Sequence, residues 1–244
     1  MRGISFMTMA TLALAHLSLA RLANQKVIAS DNDDMTEVHE AYGLFVPSQP
    51  PPFARRRTSL TSPSLFQAGI IPNVISEFQP VLGLSASWSK DATASLGNSL
   101  DPSALSSPPS VHLEKAGSAS SLEADKSYVL TLTDPDAPSR GDPKWGEFCH
   151  WIATGLSISA SASRLEDVLE YKPPAPPEKT GPHRYILIAF VPANGTTEPL
   201  NLSKPGDRKH WGASAPGHGV KDWAHANGLV PIAANFFYAQ NKKQ

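Results

Sequence analysis

Apolar residues in this chain gather into short runs set between long polar, proline-bearing stretches. The run Tyr128-Val129-Leu130-Thr131-Leu132-Thr133 is β-branched and aromatic, and Asp134-Pro135 stops it, which predicts a strand. Residues 148–154 form a second strand candidate. A third, 186–191, is apolar at every position and so reads as a central strand buried on both faces. Residues 82–88 alternate, 111–113 predict a short strand, and 229–238 a closing one. Residues 70–75 enter a short helix or a turn. A short helix is expected over 163–169 and another over 220–227, closed by Gly228, while the Ser/Pro-rich stretch 98–109 reads as loop. Short strands, proline-rich connections and few helices predict a mostly β, antiparallel core.

Three polar clusters interrupt these strands. The first is Asp134-Pro135-Asp136-Ala137-Pro138-Ser139-Arg140, two carboxylates in a turn that its prolines stiffen. The second is Glu147-Phe148-Cys149-His150-Trp151. Strand alternation puts Phe148, His150 and Ile152 on one face, where an imidazole needs a partner, by default an Asp. The third is Pro176-Pro177-Glu178-Lys179-Thr180-Gly181-Pro182-His183-Arg184-Tyr185, with His183 and Tyr185 sharing a face at a strand's start. If these strand ends meet, Asp134, Asp136, His150, His183 and Tyr185 gather in one pocket. Imidazole and phenol groups donate to anions and an Asp sets the tautomer, which describes a small phosphate- or carboxylate-binding site.

Composition narrows the class. A net charge of -1 over 244 residues gives no reason to expect a nucleic-acid partner. The lone Cys149 leaves no internal disulfide, so the core alone holds the fold, with the thiol expected buried and inert. Arg2 followed by the apolar stretch 6–20, with small residues at Ser18 and Ala20, reads as a secretory signal peptide over 1–20. The alternative is a mitochondrial presequence, since no acidic residue precedes Asp31. Residues 21–62 carry an acidic run, three consecutive prolines and Arg55-Arg56-Arg57, and read as a disordered linker or pro-segment ahead of one domain over 63–244. The arginine triplet is either a processing site or a solvated charge cluster. Asn194-Gly195-Thr196 and Asn201-Leu202-Ser203 are glycosylation acceptors that agree with secretion.

The blocks from Tyr128 to Arg140 and from Glu147 to Trp151, followed by Gly181-Pro182-His183-Arg184-Tyr185, resemble the signature of the phosphatidylethanolamine-binding protein family. Pro173-Pro174-Ala175-Pro176-Pro177 and Asn235-Phe236-Phe237-Tyr238 resemble its fungal carboxypeptidase Y inhibitor branch. The resemblance implies an antiparallel β-sandwich with a few peripheral helices. It also implies a ligand pocket made of Asp134, Asp136, Pro138, His150, Pro176, His183 and Tyr185. Trp145 stands where the family commonly has Tyr, which keeps the aromatic wall and exchanges a hydroxyl for an indole N–H. The implied partners are a phosphate-bearing small molecule or phospholipid headgroup, with peripheral membrane contact at most, and in this branch a serine carboxypeptidase. No cofactor or metal is implied. The competing reading is a hydrolase using the His/Asp cluster, for which the chain offers no strained Gly-x-Ser-x-Gly nucleophile turn.

Overall fold

The computed structural model describes residues 63–115, 128–158 and 165–244. The expected leader and the 21–62 linker lie outside the described residues. Helical residues 63–67 (α1) lead into turns over 68–75, so the segment expected as helix or turn is a turn. The strands are β1 Leu82–Ser89, β2 Ala92–Thr93, β3 Asn98–Ser99, β4 Ser110–Lys115, β5 Tyr128–Asp134, β6 Phe148–Leu156, β7 Glu166–Leu169, β8 His183–Pro192 and β9 Leu229–Ala239, with α2 at Val220–Ala226.

They form two sheets. The smaller, ordered β2-β1-β4, is antiparallel; the larger, β3-β9-β8-β5-β6-β7, is antiparallel except for its β3–β9 edge. The small sheet covers one face of the large one. Leu82, Leu84 and Ala86 of β1 and Val111 and Leu113 of β4 meet Leu130, Leu132, Leu187 and Ala189 in an inner core. Alternation in β1 and β4 follows, because their other faces are wet. The opposite face of the large sheet is covered too. Leu65, Ile70, Ile71 and Phe78, with Trp211, Val220 and Trp223, pack on Val129, Ile186, Ile188 and Phe190 in an outer core. Double coverage explains why every residue of β5 and β8 is buried, as the continuous apolar run over 186–191 predicts.

Three local expectations change. Residues 165–169 hold no helix: Glu166–Leu169 is an edge strand on β6, while 159–164 lie outside the described residues. Within the expected loop, Asn98–Ser99 pairs parallel to β9, and a 3₁₀ turn at Pro102–Ala104 follows, capped by Asp101. The face assignment in β6 also shifts. Pairing with β5 slips between Leu132↔Trp151 and Thr133↔Cys149, leaving His150 as an extra residue. Cys149 and Ile152 therefore enter the outer core and Trp151 the inner one. His150 stays near Phe148, ring centroids 5.0 Å apart, but Ile152 points away from both.

Thr131 sits in the middle of β5, fully buried, and its hydroxyl has no partner among the described residues. Thr131→Val keeps nearly the same shape and removes an unsatisfied donor, so it is expected to raise stability by up to about 1 kcal/mol. Urea unfolding reads this as a higher midpoint with an unchanged slope.

Candidate anion-binding site

Because β5 runs antiparallel to both neighbours, the end of β5 and the starts of β6 and β8 lie at one end of the large sheet. Asp134, His150, His183 and Tyr185 come together there, all buried. Asp134 is the hub. Its Oδ2 accepts from His183 Nδ1 at 2.9 Å and its Oδ1 from the Asp136 backbone N–H at 2.8 Å. The Tyr185 hydroxyl also hydrogen-bonds to it; burial, and then this charge, push the phenol's pKa far up. The Tyr185 ring neighbours both imidazoles, at 5.2 Å from His150 and 6.4 Å from His183, and stacks on Phe237 at 5.3 Å.

The two histidines differ in what they have left to offer. His183 has both ring nitrogens engaged, Nδ1 by Asp134 and Nε2 by Thr180 Oγ1 at 3.0 Å. His150 Nδ1 lies 2.7 Å from the Lys172 carbonyl, which can only accept, so this nitrogen carries the proton. Nε2 of the neutral ring is then a lone-pair site. Burial pushes the His150 pKa down, against the nearby Asp134 charge, and favours that neutral form. Of the two rings, His150 is the one with an uncommitted nitrogen.

Asp136 lies elsewhere. Its carboxylate takes Arg184 on two sides, Oδ2 from Nε at 2.9 Å and Oδ1 from Nη2 at 2.6 Å, and accepts the Arg184 backbone N–H as well. Arg184 Nη1 continues to the carbonyls of Ala68 and Gly69. Arg184 alternates with His183 and Tyr185, so this ion pair sits on the outer-core face of β8. The two acids of one turn serve opposite faces of the sheet.

The remaining expected residues lie on the two loops that lead into the cluster's strands β6 and β8. Half-buried Pro138 and exposed Trp145 lie on the β5–β6 loop, closed by the Trp145 N–H to Ala137 carbonyl bond at 3.0 Å. Lys209 Nζ stands 5.1 Å from the centroid of the Trp145 ring. Pro176, buried, lies on the β7–β8 loop, which residues after β9 hold in place. Asn241 donates to the Pro176 carbonyl, the Lys179 N–H to the Lys243 carbonyl, and the Gly181 N–H to Gln244 Oε1. Asn194 and Asn201 are exposed, beyond the far end of β8. Cys149 is buried, its thiol pKa raised by desolvation.

Several supporting residues carry no signal in the sequence. The Lys172 and Arg208 contacts run through backbone carbonyls, Arg208 donating to those of Cys149, His150 and Glu170. Thr180 and Glu147 fall inside the recognisable blocks without an evident role. Glu147 Oε2 accepts from the Thr133 hydroxyl at 3.0 Å and the Val220 N–H at 3.1 Å, and Thr133 in turn accepts from Trp211 Nε1. The carboxyl lies so close to Gly219 that a Cβ there would fall 2.1 Å from Glu147 Cδ, which explains the glycine. Burial raises the Glu147 pKa to about 7, with the Asp222 charge adding to it and the Val220 and Thr133 hydrogen bonds and Arg184 opposing.

The two packed sheets define a β-sandwich with a His/Asp cluster at one end, and the model of the phosphatidylethanolamine-binding protein family matches residues 90–237. The chain belongs to that family. It is 33% identical over 202 residues to the carboxypeptidase Y inhibitor of Saccharomyces cerevisiae, covering 71% of this chain and 92% of that protein. It is 36% identical over 121 residues to protein MOTHER of FT and TFL1 homolog 2 of Oryza sativa, covering 50% of this chain and 64% of that one. Among solved structures, the carboxypeptidase Y inhibitor complexed with its cognate proteinase superposes with a TM-score of 0.67 over 76% of this chain and 97% of that one, at 33% identity. The phosphatidylethanolamine-binding protein of Plasmodium vivax gives 0.61 over 75% and 98%, at 19% identity, a likeness of fold.

The Glu147 pKa, raised from 4.5 to about 7, makes the folded state hold a proton that the unfolded chain has released. Its contribution is therefore complete below about pH 4.5 and is lost as pH rises through about 7. Urea midpoints of the native chain should fall across that window, and Glu147→Gln should flatten the profile.

Proposed function

We propose that this chain is a binding protein that inhibits a serine carboxypeptidase by surface docking. We further propose that it holds a phosphate-type anion, such as a phosphorylated headgroup, at the histidine cluster. The inhibitory reading rests on the 33% identity to the yeast inhibitor across 92% of that protein's length. Protease docking needs an extended complementary surface. A similar fold over nearly the whole of the relative supports such a surface more than any single motif does. The apolar stretch at residues 6–20 and the two acceptor triplets, whose asparagines are exposed, support a secretory route.

The anion reading rests on His150 Nε2. Its fixed Nδ1–H leaves Nε2 able to accept, so an anion binds there only by sharing a proton, either a P–OH hydrogen or one taken up by the ring. Pro138, Trp145 and Pro176 lie on the loops that lead into the cluster's strands β6 and β8, Tyr185 and the Asp134 charge neighbour the His150 ring, and Asp134 holds His183.

Catalysis is the weaker reading. Thr180, His183 and Asp134 line up in the order of a hydroxyl–imidazole–carboxylate relay. The Thr180 hydroxyl, however, lies 2.8 Å from the Pro177 carbonyl, to which it donates, and the His183 ring is only 1% exposed. Both features suit a structural pair better than a nucleophile and its base.

Two measurements test these proposals separately. Carboxypeptidase Y turnover of a blocked dipeptide should fall toward zero near equimolar added chain; full turnover at large excess would end the inhibitory reading. In NMR titrations with inorganic phosphate and phosphoethanolamine, the His150 ring signals should move saturably, and affinity should weaken as pH rises, because the shared proton becomes harder to supply. A His150 ring that stays silent, or affinity that climbs with pH, would remove the anion proposal.

A further inference from the structure

The turn that sends Asp134 to one face and Asp136 to the other ends at Arg140, which is exposed. Arg184 has its guanidinium filled by one carboxylate and two carbonyls. Arg140 makes no hydrogen bond or ion pair among the described residues. It lines a cleft of about 400 Å³ whose other polar members are Ser99, Tyr238 and Gln240. None of these three makes a side-chain hydrogen bond within the described protein either. The apolar part of the wall is Leu100, Pro182 and Ala239, together with the Tyr238 ring. The neighbouring acid, Asp101, is neutralised by Lys242 Nζ at 2.8 Å, so Arg140 is the cleft's one uncompensated charge.

The cleft is separate from the histidine cluster yet built on the same two motifs. Pro182 precedes His183, and Ala239 pairs with His183 across the β8–β9 ladder. The Gly181–His183 corner thus turns an imidazole inward and a proline ring outward. This cleft does not need the cluster to bind anything.

We propose that the Arg140 cleft is a second ligand site, for a small monocarboxylate with a compact apolar body, of the size of an N-acylated apolar amino acid. The charge count selects the head group. One guanidinium fork matches one carboxylate bidentately, whereas a phosphate dianion would keep a charge uncompensated. The lining selects the body, because roughly half of it is apolar and the polar groups sit around one cation. The volume falls at the lower end of small-molecule sites, roughly 300–1,000 Å³.

The test uses the full chain, ¹⁵N-labelled, titrated with N-acetyl-leucine, its neutral amide and inorganic phosphate. The acid should move the backbone signals of Ser99, Leu100, Arg140 and Gln240 saturably, with the amide about tenfold weaker or worse. Arg140→Gln should lower affinity for the acid to that of the amide while circular dichroism and melting temperature stay unchanged. Equal affinity for acid and amide would mean that Arg140 does not read the ligand, and would overturn the proposal. So would the absence of saturable shifts, or a preference for phosphate at these residues. The His150 ring signals are read in the same phosphate titration, so failure of the cleft and failure of the histidine cluster appear as different results.

Discussion

Burial of β5 and β8 on both faces is the constraint from which the rest follows. A polar side chain on either strand has no water to turn to, so its partner has to lie inside the protein, and the Thr131 hydroxyl goes without one among the described residues. At the ends of these strands the chain supplies two acids, one in the last position of β5 and one just beyond it, and an imidazole and a guanidinium at adjacent positions of β8. Alternation sorts them. Asp134 meets His183 on the inner face and Asp136 meets Arg184 on the outer face. The stiff Asp-Pro-Asp turn thus fastens both layers of the protein at once. Breaking the Asp136–Arg184 pair would leave a charge in a dry place, a defect that typically costs several kcal/mol, roughly 3–5.

The site's chemical character comes from an irregularity in the neighbouring strand. In a regular β6, His150 would take its turn in the ladder and Ile152 would share its face. The extra residue at the bulge frees the imidazole to lean on Tyr185 while the Lys172 carbonyl fixes its tautomer. Bulges commonly re-aim a side chain in this way. His183, saturated by Asp134 and Thr180, then acts as scaffold. The difference between the two histidines is one of wiring, since both belong to the recognisable motifs and both are buried.

Much of this could be read from the sequence, for identifiable reasons. The strands with two buried faces announce themselves as unbroken apolar runs, and 186–191 places the middle of the large sheet correctly. The meeting of residues near 134, 150 and 183 follows from polar clusters at strand ends. Edge strands are harder. Glu166–Leu169 buries only its last residue fully, so its pattern reads as an amphipathic helix. The bulge was illegible because one inserted residue changes faces without changing composition. The separate fates of Asp134 and Asp136 depend on which side of a turn each acid leaves the sheet. The grip of Lys172 on His150 passes through a carbonyl that every residue possesses.

β8 also acts as a ruler. Ten residues at roughly 3.3 Å each put about 30 Å between the imidazole at its start and the turn after Pro192. The Ala193 N–H to Gly228 carbonyl bond, and the Ser203 N–H to Asn227 Oδ1 and Asn227 Nδ2 to Ser203 hydroxyl bonds, draw both asparagine triplets toward that distant pole. Any sugar attached at Asn194 or Asn201 would therefore project away from the histidine end. The asparagine triplets and the histidine cluster thus belong to opposite ends of one strand.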